Sequence, residues 1–423
     1  MRRRQEVEGA SGLPDVSEVD GILASEPSRE QGGRLVQSVA IRAIGAGLGY
    51  AVQATLALEL KGGHFASYAA MYAAVGIAAM VGSRGAPTVA AREQAKDRDV
   101  RRILLGSAGS TCLVALVLIG AAWVLPSLGG SRSPGLLAGA VVSLVGISSS
   151  EVMAGWARGT GAIDRAFANL AVGQAFSLVL VVLWSIWTEV GVGQALALVG
   201  VGQLVGATLC YFTAAARARP SREDGDRSGI NSLLFVGVAS QVALSVDRLV
   251  APVLLLPGQA DLYAKAAVLA GRPLQLLSVV VEQYFLPLYA RGIGPTAARI
   301  RATVIRPLFL AGPMLMAIAV GVSVSGSKVG QIAVPIAVLS AYVMYPIYSV
   351  LAADIWSRGG TEYQLRYLKR FVPLVASVLG IWFLLALRLR SPLVLAWGAF
   401  VVVGVRNLVM LGLAKRTTVT GPD

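Results

Sequence analysis

The stretch Val192-Gly-Gln-Ala-Leu-Ala-Leu-Val-Gly-Val-Gly-Gln-Leu-Val-Gly-Ala-Thr-Leu-Cys-Tyr-Phe-Thr-Ala214 contains no Asp, Glu, Lys or Arg. A helix rises about 1.5 Å per residue, so a run of this length crosses a hydrocarbon core about 30 Å thick. The pattern recurs in both directions along the 423 residues. Candidate spans fall at about 37–60, 66–90, 103–128, 134–156, 166–188, 192–214, 230–256, 264–290, 303–324, 330–353, 371–389 and 392–414. Gly, Pro and charge mark the breaks, as in Leu128-Gly-Gly-Ser-Arg-Ser-Pro134.

Composition agrees with this reading. Hydrophobic residues make up 55% of the chain and charged residues 14%, whereas soluble domains carry about 25% charged residues. The 48 glycines follow no collagen period, and Gly with Ala is what lets membrane helices approach closely. Soluble, fibrous and disordered classes are therefore excluded, and an all-α polytopic membrane protein is expected. Cys112 and Cys210 both lie in apolar runs, and the lone His64 follows Lys61-Gly-Gly63. No disulfide, metal site, catalytic residue or cofactor is expected from them. Met1-Arg-Arg-Arg4 is followed by polar, acidic sequence rather than an apolar signal core, so residues 1–36 read as a disordered cytoplasmic tail.

Orientation follows from the basic residues. With the N-terminus inside, most of the 37 Lys and Arg lie on the inner side. The outer loops hold only Lys61, Arg132, Lys328, Arg388 and Arg390. Both termini are thus expected in the cytoplasm. The net charge of +14 is explained by this asymmetry and by anionic lipid rather than by nucleic acid.

An internal repeat divides the chain. Trp156-Ala-Arg158-Gly159-Thr-Gly161 matches Trp356-Ser-Arg358-Gly359-Gly360 at an offset of 200 residues, and Pro87 and Pro287 share that offset. Each proline precedes an Ala-Arg pair, at Arg92 and Arg291. Six spans separate the partners, so the copies enter the membrane in the same sense and predict a parallel pseudo-two-fold repeat. Two six-helix lobes are expected: 37–214 and 230–414, joined by a cytoplasmic linker 215–229 and followed by a short tail 415–423. Recurrence of Gly, Arg and Trp as interfacial anchors is the other way to produce such matches.

Charges inside spans cost about 2.5–3.5 kcal/mol each on insertion scales and need a partner or a hydrated cavity. Arg42 and Arg84 lie about 9 Å from the inner ends of spans one and two, which permits either snorkelling or a shared cationic pocket. Asp247-Arg248 interrupts span seven, and adjacent helix residues point about 100° apart, so the two address different neighbours. Arg272 in span eight is at similar depth, making an Asp247–Arg272 ion pair one reading and a functional role the other. Glu282 lies deeper on the same span, and Arg406-Asn407 interrupts span twelve. The intramembrane surplus is positive. It suits an anionic cargo, because the Arg fork matches phosphate, and it disfavours organic cations, which call for acidic, aromatic walls. Tyr342, Tyr345 and Tyr348 around Pro346 either stack on sugar rings or pack at a kink.

The residues also carry a family resemblance. Ile41-Arg42 to Tyr50, Gly62-Gly-His-Phe-Ala-Ser-Tyr68 and Gly82-Ser-Arg84-Gly85-Ala-Pro87 form its first part. Ser245-Val-Asp247-Arg248-Leu-Val250, Asp261-Leu-Tyr263-Ala-Lys265 and Phe285-Leu-Pro287 form its second, and Trp156 to Gly161 adds the short loop after span four. In order and spacing the chain resembles a Wzx-type polysaccharide flippase of the multidrug/oligosaccharidyl-lipid/polysaccharide exporter superfamily. The long polar tail and high Ala, Gly and Val content depart from that pattern. The resemblance implies flipping of undecaprenyl-pyrophosphate-linked oligosaccharide across the bacterial plasma membrane by alternating access, with membrane lipid and a polysaccharide polymerase or export machinery as partners. It makes Arg42, Arg84, Arg248, Arg272 and Arg406 candidate contacts for pyrophosphate or acidic sugar, and Asp247 and Glu282 candidate gating or coupling groups. An ion-coupled multidrug or small-solute exporter of the same superfamily is the alternative. A membrane enzyme of glycan assembly fits less well, since the outer loops are short and poor in acids.

Overall fold

A computed structural model describes residues 29–94, 98–124, 134–218, 230–269, 271, 274, 305–324, 327–358 and 361–417. These residues form helices joined by short connections, with no β-strand among them. The first lobe comprises α1 (Arg29–Glu59), α2 (His64–Ser83), α3 (Ala86–Gln94), α4 (Arg101–Val124), α5 (Pro134–Gly159), α6 (Ile163–Trp187) and α7 (Val192–Ala215). The second comprises α8 (Ile230–Leu254), α9 (257–269), α10 (Arg306–Val324), α11 (Ser327–Tyr342), α12 (Tyr345–Arg358), α13 (Thr361–Leu389) and α14 (Pro392–Thr417). Eleven helices among the described residues are long and apolar enough to cross a membrane. The expected eighth span begins within α9, and most of it lies outside the described residues. Exposed Leu58, Trp187, Val253 and Leu384 give the bundle an apolar perimeter, as a multi-pass membrane protein requires.

Several expected boundaries move for local reasons. Span two is not one helix. It breaks where Arg84 and Gly85 adopt left-handed backbone, φ 49° and 71°, which ends α2 and redirects the chain into α3. Span ten also breaks, at Val343-Met344, rather than merely kinking. Pro346 then falls in the first turn of α12, where its missing N–H leaves no intrahelical bond unmade. α1 begins inside the stretch expected as tail, and α13 begins ten residues before the expected span, with Arg366, Lys369 and Arg370 in its early turns.

Small residues set the helix spacing. α5 and α7 form a close pair in the first lobe: a methyl group on Gly146 would run into the carbonyl of Gly200, and one on Gly200 would lie 2.6 Å from Ser143 Cα. Polar groups cross between helices where they find acceptors. Ser148 Oγ donates to the Ala79 carbonyl at 3.3 Å, and Asn169 Nδ2 donates to Thr213 Oγ1 at 2.8 Å. Such bonds satisfy groups that lipid would leave unpaired. The repeat signature recurs in structural position, since Trp156 lies in the last turn of α5 and Trp356 in the last turn of α12. Its proline counterpart, Pro287, lies outside the described residues.

The lobes meet where α2 packs antiparallel against α8. A methyl on Gly76 would lie 3.5 Å from Gln241 Nε2, and one on Gly237 would lie 3.2 Å from Met80 Sδ. Beyond the end of α2, a methyl on Gly85 would lie 2.9 Å from Leu233 Cβ. Glycine is required there twice over, by the positive φ and by this approach.

Candidate functional site

The helix break after α2 builds the first site. With Arg84 in the left-handed region, its guanidinium reaches two helices at once. Nη1 donates to Ser110 Oγ of α4 at 3.3 Å, and Nη2 donates to Asn231 Oδ1 of α8 at 3.4 Å. One side chain therefore ties the first lobe to the second. Beside it opens a cavity of about 310 Å³ lined by Ser83, Arg84, Arg102, Ser107, Ile230 and Asn231 among others. Two arginines, two serines and an asparagine are among its lining residues, and no Asp or Glu is among the described ones. Backbone held in a sparsely populated conformation tends to accumulate at functional positions. Here it aims a cation at the seam between two lobes.

Arg42 does not share that cavity. Its guanidinium carbon lies 4.2 Å from the centroid of the Phe167 ring, joining α1 to α6, and the residue is buried. Asp164, in the first turn of α6, is near enough to act on it electrostatically. The two first-lobe arginines thus engage different helices because the break turns Arg84 toward α4 and α8.

The second lobe contains a buried polar cluster. Asp247 accepts a 2.7 Å hydrogen bond from Tyr263 OH of α9. Arg248 folds back along α8, donating to the Leu244 carbonyl at 3.0 Å and to Ser245 Oγ at 3.1 Å. Its Nε lies 4.0 Å from Asp247 Oδ1, at the limit of an ion pair. The partner found for Asp247 is therefore a phenol. The expected partner Arg272 lies outside the described residues, as does Glu282. Arg406 is buried between Tyr345 and Tyr348, 5.1 and 4.2 Å from the ring centroids, and its Nε has no hydrogen-bond partner among the described residues. Tyr345 lies within electrostatic reach of Asp247, Arg248 and Arg406, so these groups form one cluster. Asn407 is structural: its Nδ2 donates at 2.9 Å to the Met344 carbonyl, at the break between α11 and α12. Tyr342 and Tyr345 are buried with centroids 4.6 Å apart. They pack against each other at that break.

Sequence reasoning missed Arg102, Asn231, Tyr263 and Phe167 as partners. Arg102 looks like an ordinary basic residue at a helix start, and only the break after α2 brings it to the wall of the cavity. The weak signal for Tyr263 is its position in Asp261-Leu-Tyr263, between two charged residues of an apolar segment. Among the described residues no cluster of His, Cys, Asp and Glu could hold a metal ion.

No protein-family model and no curated protein sequence matches the chain. Solved structures do share its fold, which is that of MATE transporters of the MOP superfamily: two helical lobes, here joined along α2 and α8. A MOP superfamily transporter from Pyrococcus furiosus, whose binding pocket is described as having reverse polarity suggesting a different function, aligns at 17% identity with a TM-score of 0.59. The alignment covers 91% of this chain and 96% of that one. A MATE transporter in complex with MaD5 aligns at 16% identity and TM-score 0.57, covering 90% and 96%. An outward-facing multidrug resistance MATE transporter aligns at 14% identity and TM-score 0.55, covering 94% and 97%.

Proposed function

We propose that the chain is an alternating-access exporter whose cargo carries negative charge. The observation that carries this reading is the seam cavity, where Arg84 and Arg102 are among the lining residues and no Asp or Glu is among the described ones. Planar guanidinium groups bind phosphate or carboxylate through paired donors. Arg248 and Arg406 add buried positive charge within the second lobe, where Asp247 is the one acid among the described buried charged residues.

Two cargo classes fit this electrostatic preference. The likeness to multidrug MATE transporters supports an ion-coupled exporter of small solutes more directly than it supports a flippase. The resemblance in sequence supports the finer reading, movement of an undecaprenyl-pyrophosphate-linked oligosaccharide from the inner to the outer leaflet of a bacterial plasma membrane. In that reading the pyrophosphate meets Arg84 and Arg102 at the seam, Arg42, Arg248, Arg272 and Arg406 are further contacts, and Asp247 and Glu282 act in gating or coupling. The sugar crosses between the lobes while the polyprenyl tail stays in lipid. With both termini in the cytoplasm, an inside-negative potential favours outward movement of the anion by about 2.3 kcal/mol per charge per 100 mV.

Depletion of the protein in its host, followed by mass spectrometry of polyprenyl-linked oligosaccharides and by toxicity assays with anionic and cationic compounds, separates the readings. Accumulation of one complete lipid-linked repeat unit is the result expected of a flippase. An unchanged pool with hypersensitivity to anionic compounds points to the solute exporter. Hypersensitivity confined to cationic dyes overturns the anionic-cargo reading.

A further inference from the structure

The start of α2 has no capping side chain of its own. Its N-cap residue is Gly63, in left-handed conformation at φ 90° after Gly62 at φ 64°, and it makes no side-chain capping bond. The cap comes from the other lobe. Asp261, in α9, accepts hydrogen bonds from the backbone N–H of Gly63 through Oδ2 at 3.2 Å and from that of Ala66 through Oδ1 at 2.9 Å. Pro257 lies one helical turn before Asp261 and therefore on the same face of α9. It seats against the same point, since a methyl group on Gly63 would lie 3.2 Å from Pro257 Cβ. Two residues of one helix thus dock onto one helix start, nearly 200 residues earlier in the chain. A carboxylate suits that place because the first N–H groups of a helix are unpaired and carry its positive end.

We propose that Asp261 is an outer-gate residue: its carboxylate, with Pro257 against Gly63, holds the two lobes closed at the end of the bundle that carries the 60–63 connection. Arg84 and Asn231 close the opposite end of the same seam, so α2 is fastened to the second lobe at both ends. Opening toward the outer side requires the Asp261 bonds to break while the Arg84 bond persists. Because Asp261 fastens backbone rather than a side chain, only its own replacement or a distortion of Gly63 removes the contact. The inference concerns lobe closure and does not depend on the identity of the cargo.

The test uses the full chain in lipid nanodiscs, with spin labels on Lys61→Cys and Gln259→Cys in a Cys112→Ser, Cys210→Ala background, and distances from pulsed electron resonance. Parent protein should give a short, narrow distance distribution. Asp261→Ala should add a longer population, and Asp261→Asn, which keeps one acceptor oxygen, should give a smaller one. Gly63→Ala should broaden the distribution in the same way, by straining the positive φ and crowding Pro257, and it carries the prediction if Asp261→Ala fails to fold. Distributions that match the parent in the folded variants overturn the proposal.

Discussion

Asp247 shows how much a single buried charge depends on its neighbours. Tyr263 donates to one carboxylate oxygen and Arg248 stands 4.0 Å from the other, so neutralising the acid strands a buried guanidinium. Breaking a buried pair from one side costs about 3 kcal/mol or more, whereas replacing both partners by apolar groups is often neutral. Asp247→Asn should therefore lower thermal stability in detergent by about 3 kcal/mol, and Tyr263→Phe by about 2 kcal/mol. The double replacement Asp247→Leu with Arg248→Met should recover the part of the loss that comes from the stranded guanidinium, while the Tyr263 hydroxyl stays without its acceptor. Equal destabilisation by the single and double replacements would show that the pair is not the source of the effect. Arg406 differs, because two tyrosine faces supply its compensation. Tyr348→Leu should destabilise the fold by about 2 kcal/mol beyond the lost packing if that cation–π contact is desolvated.

Among the elements, the pairing of α5 with α7 depends on the absence of side chains. At Gly146 the Gly200 carbonyl occupies the space a methyl would need, while at Gly109 on α4 no atom of the described residues lies within 4 Å of that position. Overpacking costs about 1–3 kcal/mol, and relief from glycine in an open helix gains about 0.5–1 kcal/mol. Gly146→Ala should thus lower the unfolding temperature and Gly109→Ala should hold or raise it, as thermal scans of the purified protein will show. The breaks after α2 and α11 follow different logic. Left-handed Arg84 and Gly85 sacrifice helical continuity to aim a guanidinium. The break at Val343-Met344 is held by Asn407 from α14, which satisfies the Met344 carbonyl.

For the whole molecule, the α2–α8 seam joins the two lobes, and in the exporter proposed above it is the surface along which they would move. Arg84 and Asn231 act there as one unit. Replacing either by Ala should impair export, and the double replacement should be little worse, with a coupling of about 0.5–3 kcal/mol in a double-mutant cycle. Strict additivity in transport assays at equal protein abundance would mean that the two act separately. Arg102→Ala should weaken cargo binding without disturbing that cycle, because Arg102 lines the cavity and is not one of the two groups joined across the seam.

The chain by itself determined the membrane class, the helical architecture, the two-lobe plan and the surplus of intramembrane arginine. Uncharged runs long enough to cross lipid have no other stable conformation, since every backbone group must be paired within the segment. It also marked Arg84, Asp247, Arg248 and Arg406 as charges within spans, and the last three are buried. What it could not assign was their partners. Helical periodicity says which residues share a face, but a tyrosine in α9, a phenylalanine in α6 or an asparagine at the start of α8 becomes a neighbour only when helices pack. Two left-handed residues turned an expected continuous span into a cavity wall, and a helix start with no cap of its own found its carboxylate in the other lobe. Those outcomes rest on contacts between residues far apart in sequence, and the tertiary structure alone decides them.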